Sequence, residues 1–232
     1  MRIFAVLVAT LLLAAPARAQ DSGGISSVAL SRCAGKIGLE TRTEDAAFVA
    51  IMLDGMPWVT IERTEEKVGS QTIATTVTGT GAQRQRRGGA VPFLFTCLID
   101  DNGEAVMFHS TRLRPEAGQL LPPATVIAGS ATYLEKMTLP RGSELRVQLL
   151  DVAKGAPGEI MAEQVVRSGW AVPIAFALRA PSDLKPAGRK LVIAARLALG
   201  RKTLFQLNQP QPLAANALAK PVDLVLEKVG DP

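Results

Sequence analysis

Residues 145–152 read LRVQLLDV, and this stretch decides the fold class. Apolar Leu145, Val147 and Leu149 alternate with polar residues along it. A period of two places one face of a β-strand in a core and the other face in water. We therefore expect a β-strand here, in a sheet with one buried face.

The same alternation recurs C-terminal to that stretch, at 172–178, 193–199 and 222–226. Glycine and proline turn signals separate these runs, at 140–142, 155–158, 185–188 and 200–202. Short strands at this spacing predict an antiparallel β-sandwich in the C-terminal half. Pro173 interrupts one alternating run, which predicts an edge strand or a bulge, because proline cannot donate to a β-ladder.

The N-terminal half has a mixed pattern that predicts a small α+β module, a helix packed on an antiparallel sheet. A helical face begins the half, with Gly35 placed to end the helix; its residues are Ile25, Val28, Ala29, Arg32 and Cys33. Five strand patterns follow, at 48–53, 58–62, 71–78, 91–99 and 105–109. Asn102-Gly103 lies between the last two and predicts a hairpin turn, because both residues tolerate positive φ.

A proline- and glycine-rich segment at 117–125 divides the two halves, since such clusters mark boundaries between periodic stretches. Charge shifts there too: residues 20–124 hold 10 basic and 12 acidic residues (−2), and residues 125–232 hold 14 and 9 (+5). We expect a module at 20–116, a linker at 117–125 and a β-sandwich at 126–229. Few contacts should cross the linker, so the halves should unfold separately.

Residues 1–19 have the pattern of a cleavable signal peptide. Arg2 precedes a short apolar run, Pro16 ends it, and Ala17-Arg18-Ala19 supplies the small residues that a signal peptidase reads. The run is shorter than the roughly 20 apolar residues of a membrane span. Cys33 follows no lipobox, so we expect a soluble protein, exported to the periplasm or secreted and beginning at Gln20. An N-terminal membrane anchor is the alternative.

Two cysteines, Cys33 and Cys97, lie on the predicted buried faces of their elements. An even number of cysteines in an exported chain favours a disulfide. A bridge over this separation is worth about 4 kcal/mol in the chain-entropy model. Two unpaired buried thiols are the alternative, and either arrangement would be structural.

Catalytic and metal-binding residues are scarce, and we predict that the protein is not an enzyme and carries no cofactor or metal. His109 is the single histidine, so a catalytic triad or a typical zinc site would have to use it. No Gly-x-Ser-x-Gly motif accompanies it. We expect the carboxylates to lie in turns and on solvent faces; they include Glu65, Glu66, Asp100, Asp101, Glu159 and Glu163.

The densest run of basic residues is Arg84, Arg86 and Arg87, between two predicted strands. These residues are candidate contacts for an anionic partner such as a phospholipid surface. Nucleic acid is not expected, because aromatic residues for base stacking are not interleaved with the arginines. A solvated hairpin loop is the alternative.

The C-terminal half resembles the YbaY/YscW family, bacterial envelope lipoproteins that include pilotin-like chaperones of type III secretion. The stretches that carry the resemblance are GSATYLEKMTLP at 129–140, LRVQLLDV at 145–152, AEQ at 162–164, PIAF at 173–176, residues 189–197 and LF at 204–205. It implies a β-sandwich and a non-enzymatic envelope role. A pilotin uses a lipid to deliver a secretin to the outer membrane. The N-terminal half is assigned to no family.

These observations together predict an exported, two-domain binding or assembly protein of the bacterial cell envelope, with another envelope protein as its partner. One alternative is an enzyme or enzyme inhibitor with its site in the N-terminal module. Another is a binder of anionic membrane surfaces that uses the positively charged C-terminal half.

Overall fold

The computed structural model describes residues 22–40, 48–85, 89–155, 157–168, 172–214 and 220–230. In these residues the chain forms one α-helix, one 3-10 turn and thirteen β-strands. The elements in chain order are α1 Ser22–Glu40, β1 Phe48–Asp54, β2 Val59–Val68, β3 Gln71–Gln85, β4 Ala90–Asp100, β5 Ala105–Arg112, the 3-10 turn Pro115–Ala117, β6 Ala124–Tyr133, β7 Glu144–Asp151, β8 Glu159–Ser168, β9 Ile174–Pro181, β10 Leu191–Leu199, β11 Lys202–Gln206, β12 Gln211–Pro212 and β13 Val222–Lys228. The mainly β fold class is confirmed.

All thirteen strands belong to one sheet, in the order β5-β4-β3-β1-β8-β7-β10-β11-β13-β6-β9, with β2 also paired to β3 and β12 to β10. The predicted two-sheet sandwich is therefore not confirmed. Neighbouring strands are antiparallel except for β13 and β6, which run parallel. β9 ends the order, so the edge strand predicted from Pro173 is confirmed, and this proline lies just before the strand.

The larger core lies between β6, β9 and β13 on one side and β1, β7, β8 and β10 on the other. Leu145, Val147 and Leu149 point into it, as the opening alternation predicts. Tyr133 and Phe205 stack in it with ring centroids 4.3 Å apart. Burial of these branched and aromatic side chains, at about 25 cal/mol per Å² of apolar surface, is the main stabilising contribution of this half.

A smaller core lies under α1, which covers the other face of the sheet. Its buried helix residues are Ala29, Leu30, Cys33, Ala34 and Ile37. The prediction that Gly35 ends the helix is wrong, since α1 continues to Glu40. Burial of Ala34 and Ile37 on either side of it offsets the roughly 1 kcal/mol that a helical glycine costs. Val28, predicted on the buried face, is 60% exposed.

Strand β1 joins the two halves of the chain. It pairs with β3 on one edge and with β8 on the other, where Ala50 lies opposite Ser168 and Asp54 opposite Gln164. The expectation that few contacts cross residues 117–125 is therefore wrong. The division of the chain into separate folding units at that segment stays a prediction.

The hairpin predicted at Asn102-Gly103 is confirmed, with Gly103 at φ 78° and its N–H donating to the Asp100 carbonyl at 3.0 Å. Strands β6, β8, β11 and β12 were not predicted from alternation. In β8 five consecutive residues from Ala162 to Val166 are buried, so both faces are covered and no period of two arises.

Candidate functional site

Four polar side chains meet where β1, β3, β8 and β9 approach one another, and we call them the junction cluster: Asp54, Thr80, Gln164 and Arg179. Each is buried, with Asp54 and Gln164 only 2% exposed. The Thr80 hydroxyl donates to Asp54 Oδ2 at 2.7 Å, and the Gln164 amide donates to Asp54 Oδ1 at 3.0 Å. Both carboxylate oxygens are thus engaged.

The guanidinium of Arg179 completes this cluster. One of its nitrogens lies 3.0 Å from Asp54 Oδ2 and 3.1 Å from the Thr80 hydroxyl, and the other donates to the Pro122 carbonyl. The indole of Trp58 covers the guanidinium at 4.7 Å from the ring centroid. The Trp58 N–H also donates to the Arg179 carbonyl at 2.6 Å. Arg179 therefore ties β9 to β1, β3 and the segment that precedes β6.

Gln164 connects β8 to the backbone of β9. Its side-chain oxygen accepts a hydrogen bond from the N–H of Ala177, and its side-chain nitrogen donates one to the carbonyl of Ala177, both at 2.9 Å. These are the two hydrogen bonds that a neighbouring strand would make. The side chain thus joins β8 to β9 where no backbone ladder does.

Burial raises the pKa of the Asp54 carboxyl above its usual 3.8, against the lowering effect of its hydrogen bonds and of Arg179. A raised pKa in a cleft can mark a catalytic acid. Asp54 is shielded from solvent and each oxygen already has a partner in the chain. The junction cluster therefore acts as a clamp between the halves.

A shallow groove of about 320 Å³ opens beside this clamp. Four threonines, three apolar residues and a glycine line it: Thr60, Thr78, Thr80, Thr96, Trp58, Leu94, Phe95 and Gly79. No charged residue lines it. A surface of this kind can contact a neutral polymer or an extended peptide and supplies no acid–base pair.

A second polar cluster lies beneath α1, and we call it the helix-side cluster: Ser31, Glu144, Arg146, Gln148 and Glu163. Glu163 Oε1 lies 2.8 Å from a nitrogen of Arg146 and 2.9 Å from the amide nitrogen of Gln148. Arg146 also donates to Ser31 at 2.6 Å, and Ser31 donates to Glu144. The prediction that Glu163 lies on a solvent face is wrong, because Gly55 packs against its side chain, Arg146 and Gln148 bond to it, and it is 0% exposed.

Of the site residues predicted from sequence, the structure brings the two cysteines together. Cys33 and Cys97 form a disulfide that joins α1 to β4, with their Cα atoms 6.0 Å apart. Arg84 is exposed on β3, and Arg86 and Arg87 lie outside the described residues. His109 is exposed on β5, 3.5 Å from the hydroxyl of Thr111. In the described ranges no group of acidic, histidine or cysteine residues could hold a metal ion.

Sequence patterns missed both buried clusters. Asp54 directly follows the apolar run Phe48–Leu53, and Arg146 alternates with apolar residues on β7. The available signal was a charged residue within or next to a strongly apolar strand. Alternation alone assigns such a residue to solvent, and only the position of α1 or β9 reverses that assignment.

Residues 122–226 match the model of YscW, the type III secretion system lipoprotein chaperone family. This match confirms the resemblance predicted for the C-terminal half. A solved structure, of an alternative pilotin from the type II secretion system of Vibrio cholerae, is 27% identical over 46% of this chain and 97% of that chain, with a TM-score of 0.42. No curated protein matches the chain.

The match to the YscW model supports a non-enzymatic, secretion-associated, chaperone-like role in which the protein binds another protein. A family of lipoprotein chaperones also suggests association with the cell envelope. The YbaY part of the resemblance stays a prediction, and binding to an anionic membrane gains no support. Within the described ranges, no helix has the length and hydrophobicity to span a bilayer.

Proposed function

We propose that this protein is an exported, non-enzymatic chaperone that binds a protein component of a secretion system in the bacterial envelope. The match of residues 122–226 to lipoprotein chaperones of type III secretion carries this proposal. The signal-peptide pattern at 1–19 supports export. Buried polar clusters that act as clamps are consistent with a scaffold for binding.

The C-terminal half is the part that we assign to client binding, because the family match lies there. Several large apolar side chains of that half are exposed, among them Leu134 at 82% and Val225 at 48%. Exposed apolar side chains that lie together can mark a protein-binding surface, and Val225 lies opposite Thr132, two residues before Leu134. Val68, on β2 outside the matched segment, is 56% exposed and offers a matched control.

Site-specific photo-crosslinking in the bacterium that encodes the protein tests this proposal. A crosslinking amino acid at Leu134 should yield a discrete adduct with an envelope protein, which mass spectrometry identifies, whereas the same residue at Val68 should yield much less. Adducts of equal yield at both positions, or a Leu134 adduct only with cytoplasmic proteins, would contradict the proposal.

The assignment to the envelope has its own measurement. Cell fractionation followed by N-terminal sequencing should recover the protein outside the cytoplasm with Gln20 as its first residue, because Ala17-Arg18-Ala19 is the predicted cleavage site. An uncleaved chain that begins at Met1, or an acylated Cys33, would contradict the predicted processing.

A further inference from the structure

Three strands longer than two residues stand at the margins of the sheet in the described part of the chain: β2, β5 and β9. An exposed strand edge presents unpaired backbone groups that can pair with another chain, so proteins normally protect such edges. Strand β2 is protected by five charged residues, Glu62, Arg63, Glu65, Glu66 and Lys67, and by an irregularity between Arg63 and Glu66.

Strand β9 is protected in another way. On its outer edge, the side chain of Gln164 hydrogen-bonds both the N–H and the carbonyl of Ala177. The Trp58 indole N–H donates to the carbonyl of Arg179. Pro173 precedes the strand and Pro181 ends it, and neither has an N–H to donate. A further strand therefore finds few open partners along β9.

Strand β5 lacks the run of charged residues that protects β2 and the prolines and side-chain hydrogen bonds that protect β9. Its pairing with β4 is irregular at one point, between Leu98 and Ile99, where Val106 has no partner on β4. Its sequence from Ala105 to Thr111 contains no acidic, lysine, arginine or proline residue. The N–H of Leu113 donates to the Pro92 carbonyl at 2.9 Å, and Thr111 lies opposite Leu94. Because backbone direction alternates along an antiparallel pair, the N–H and C=O groups of Phe108 and Ser110 point away from β4.

Charge is distributed unevenly along this open edge. Asp100, Asp101 and Glu104 precede β5, and Arg112 and Arg114 lie at its other end. An antiparallel second copy would place the basic end of one strand beside the acidic end of the other. With His109 near the twofold axis, the end of β5 that carries Arg112 and Arg114 lies beside the acidic end of the second copy, where Glu104 is found. The Glu104 side chain remains 68% exposed while it pairs with Arg32, so it can accept a second arginine.

We propose that β5 is the interface through which two copies of this chain join their sheets, edge to edge, about a twofold axis near His109. The partner is a second copy, because the strand complements itself in charge and has an uncharged centre. A twofold interface uses the same patch on both subunits, as this one does. The dimer leaves the groove and the C-terminal half free, so it stands independently of the proposed client.

The oligomeric state of matched variants of the purified protein tests this inference. Ser110→Pro removes an N–H that points away from β4, so the fold should be retained while one intermolecular hydrogen bond is lost and proline blocks strand addition. Ser110→Ala keeps that N–H and is the control. Analytical ultracentrifugation from about 1 to 300 µM, a range in which a small interface dissociates, should show dimers of the wild type and of Ser110→Ala. Ser110→Pro should remain monomeric over the same range.

Charge reversal provides a second measurement that does not depend on proline. Arg114→Glu should raise the dimer dissociation constant about tenfold, and Arg114→Glu with Glu104→Arg should restore dimerisation, because the opposed charges are exchanged together. A wild-type protein that is monomeric at 300 µM would overturn the proposal, even if β5 bound another protein. So would a Ser110→Pro variant that dimerises as well as Ser110→Ala.

Discussion

The two halves of the molecule build their cores in different ways. Apart from Ala50 and Met52, every buried residue of the larger core lies between Ile127 and Leu226. The smaller core needs α1, the disulfide and Val165 of β8. The C-terminal half therefore supplies nearly all of its own core, while the N-terminal half depends on a strand of the other half.

Separating the halves gives the largest expected effect. A fragment of residues 20–121 should be unfolded, because β1 loses its β8 neighbour and Asp54 loses Arg179 and Gln164. A fragment of residues 122–232 should retain β structure and melt cooperatively. Circular dichroism with thermal melts measures both. A cooperative melt of the 20–121 fragment would show that the N-terminal half folds without the C-terminal half.

Breaking the clamp between the halves comes next. Asp54→Ala leaves the guanidinium of Arg179 buried beside Thr80 without its carboxylate, and loss of one partner of a buried pair costs about 3–5 kcal/mol. Arg32→Gln, in the exposed pair with Glu104, should cost at most about 1 kcal/mol. Urea unfolding measures both. Equal costs would show that Asp54 does not clamp the halves.

Removing the disulfide should destabilise the chain somewhat less and mainly in one half. Cys33→Ala with Cys97→Ala should lower the free energy of unfolding by about 2–5 kcal/mol. Hydrogen exchange should accelerate in α1 and β4, while amides of β7 and β10 stay protected. Uniform acceleration would instead indicate one cooperative unit. Free-thiol titration of the denatured, unreduced wild type should find no reactive thiols.

The smallest expected effect concerns pH. Two aspartates should change the free energy of unfolding with pH in opposite directions. Burial raises the pKa of Asp54, so the folded state binds that proton more tightly and the contribution to stability is lost as pH rises through the folded-state pKa. The pKa of Asp151 is lowered, first by the Ala153 N–H and also by Lys190 and Arg189. Its contribution is present above pH 3.8 and lost as pH falls through the lowered value.

Unfolding of the wild type, Asp54→Asn and Asp151→Asn across acidic pH measures this contrast. As pH rises from 3.8, the wild type should lose stability relative to Asp54→Asn. As pH falls below 3.8, it should lose stability relative to Asp151→Asn. Slopes of the same sign would mean that Asp54 lies in a more solvated environment than the structure shows.

Strand alternation predicted most of the β-structure but could not predict how the strands are covered. β7 and β10 were recognised because Leu145, Val147, Ile193 and Leu197 face one core. Long-range contacts decided the rest. α1 passes through Gly35 because Ala34 and Ile37 are buried. Glu163 is buried because Gly55 and Arg146 lie against it. Neither fact is encoded within a few residues of the position concerned.

The candidate site was the least predictable part of the molecule. Asp54 and Arg179 are 125 residues apart in the chain, so no local spacing relates them. The cysteine pair was predictable because cysteine is rare and the chain has the pattern of an exported protein. The family resemblance was predictable because it rests on the order of several stretches, and the YscW model matches the same half, at residues 122–226.

The parallel pairing of β13 with β6 has a consequence for how the chain is made. Val222, Leu224 and Leu226 of β13 fill the larger core, and β13 lies between β6 and β11. A chain emerges from the ribosome with its N-terminus first, so β6 can pair with β9 early but must wait for β13, its parallel neighbour, until nearly the whole chain has been made. Until then Ile127 and Tyr133 have no closed interior to enter. We therefore expect the larger core to close only after β13 has been made, and a chain that ends before Val222 to leave this core open.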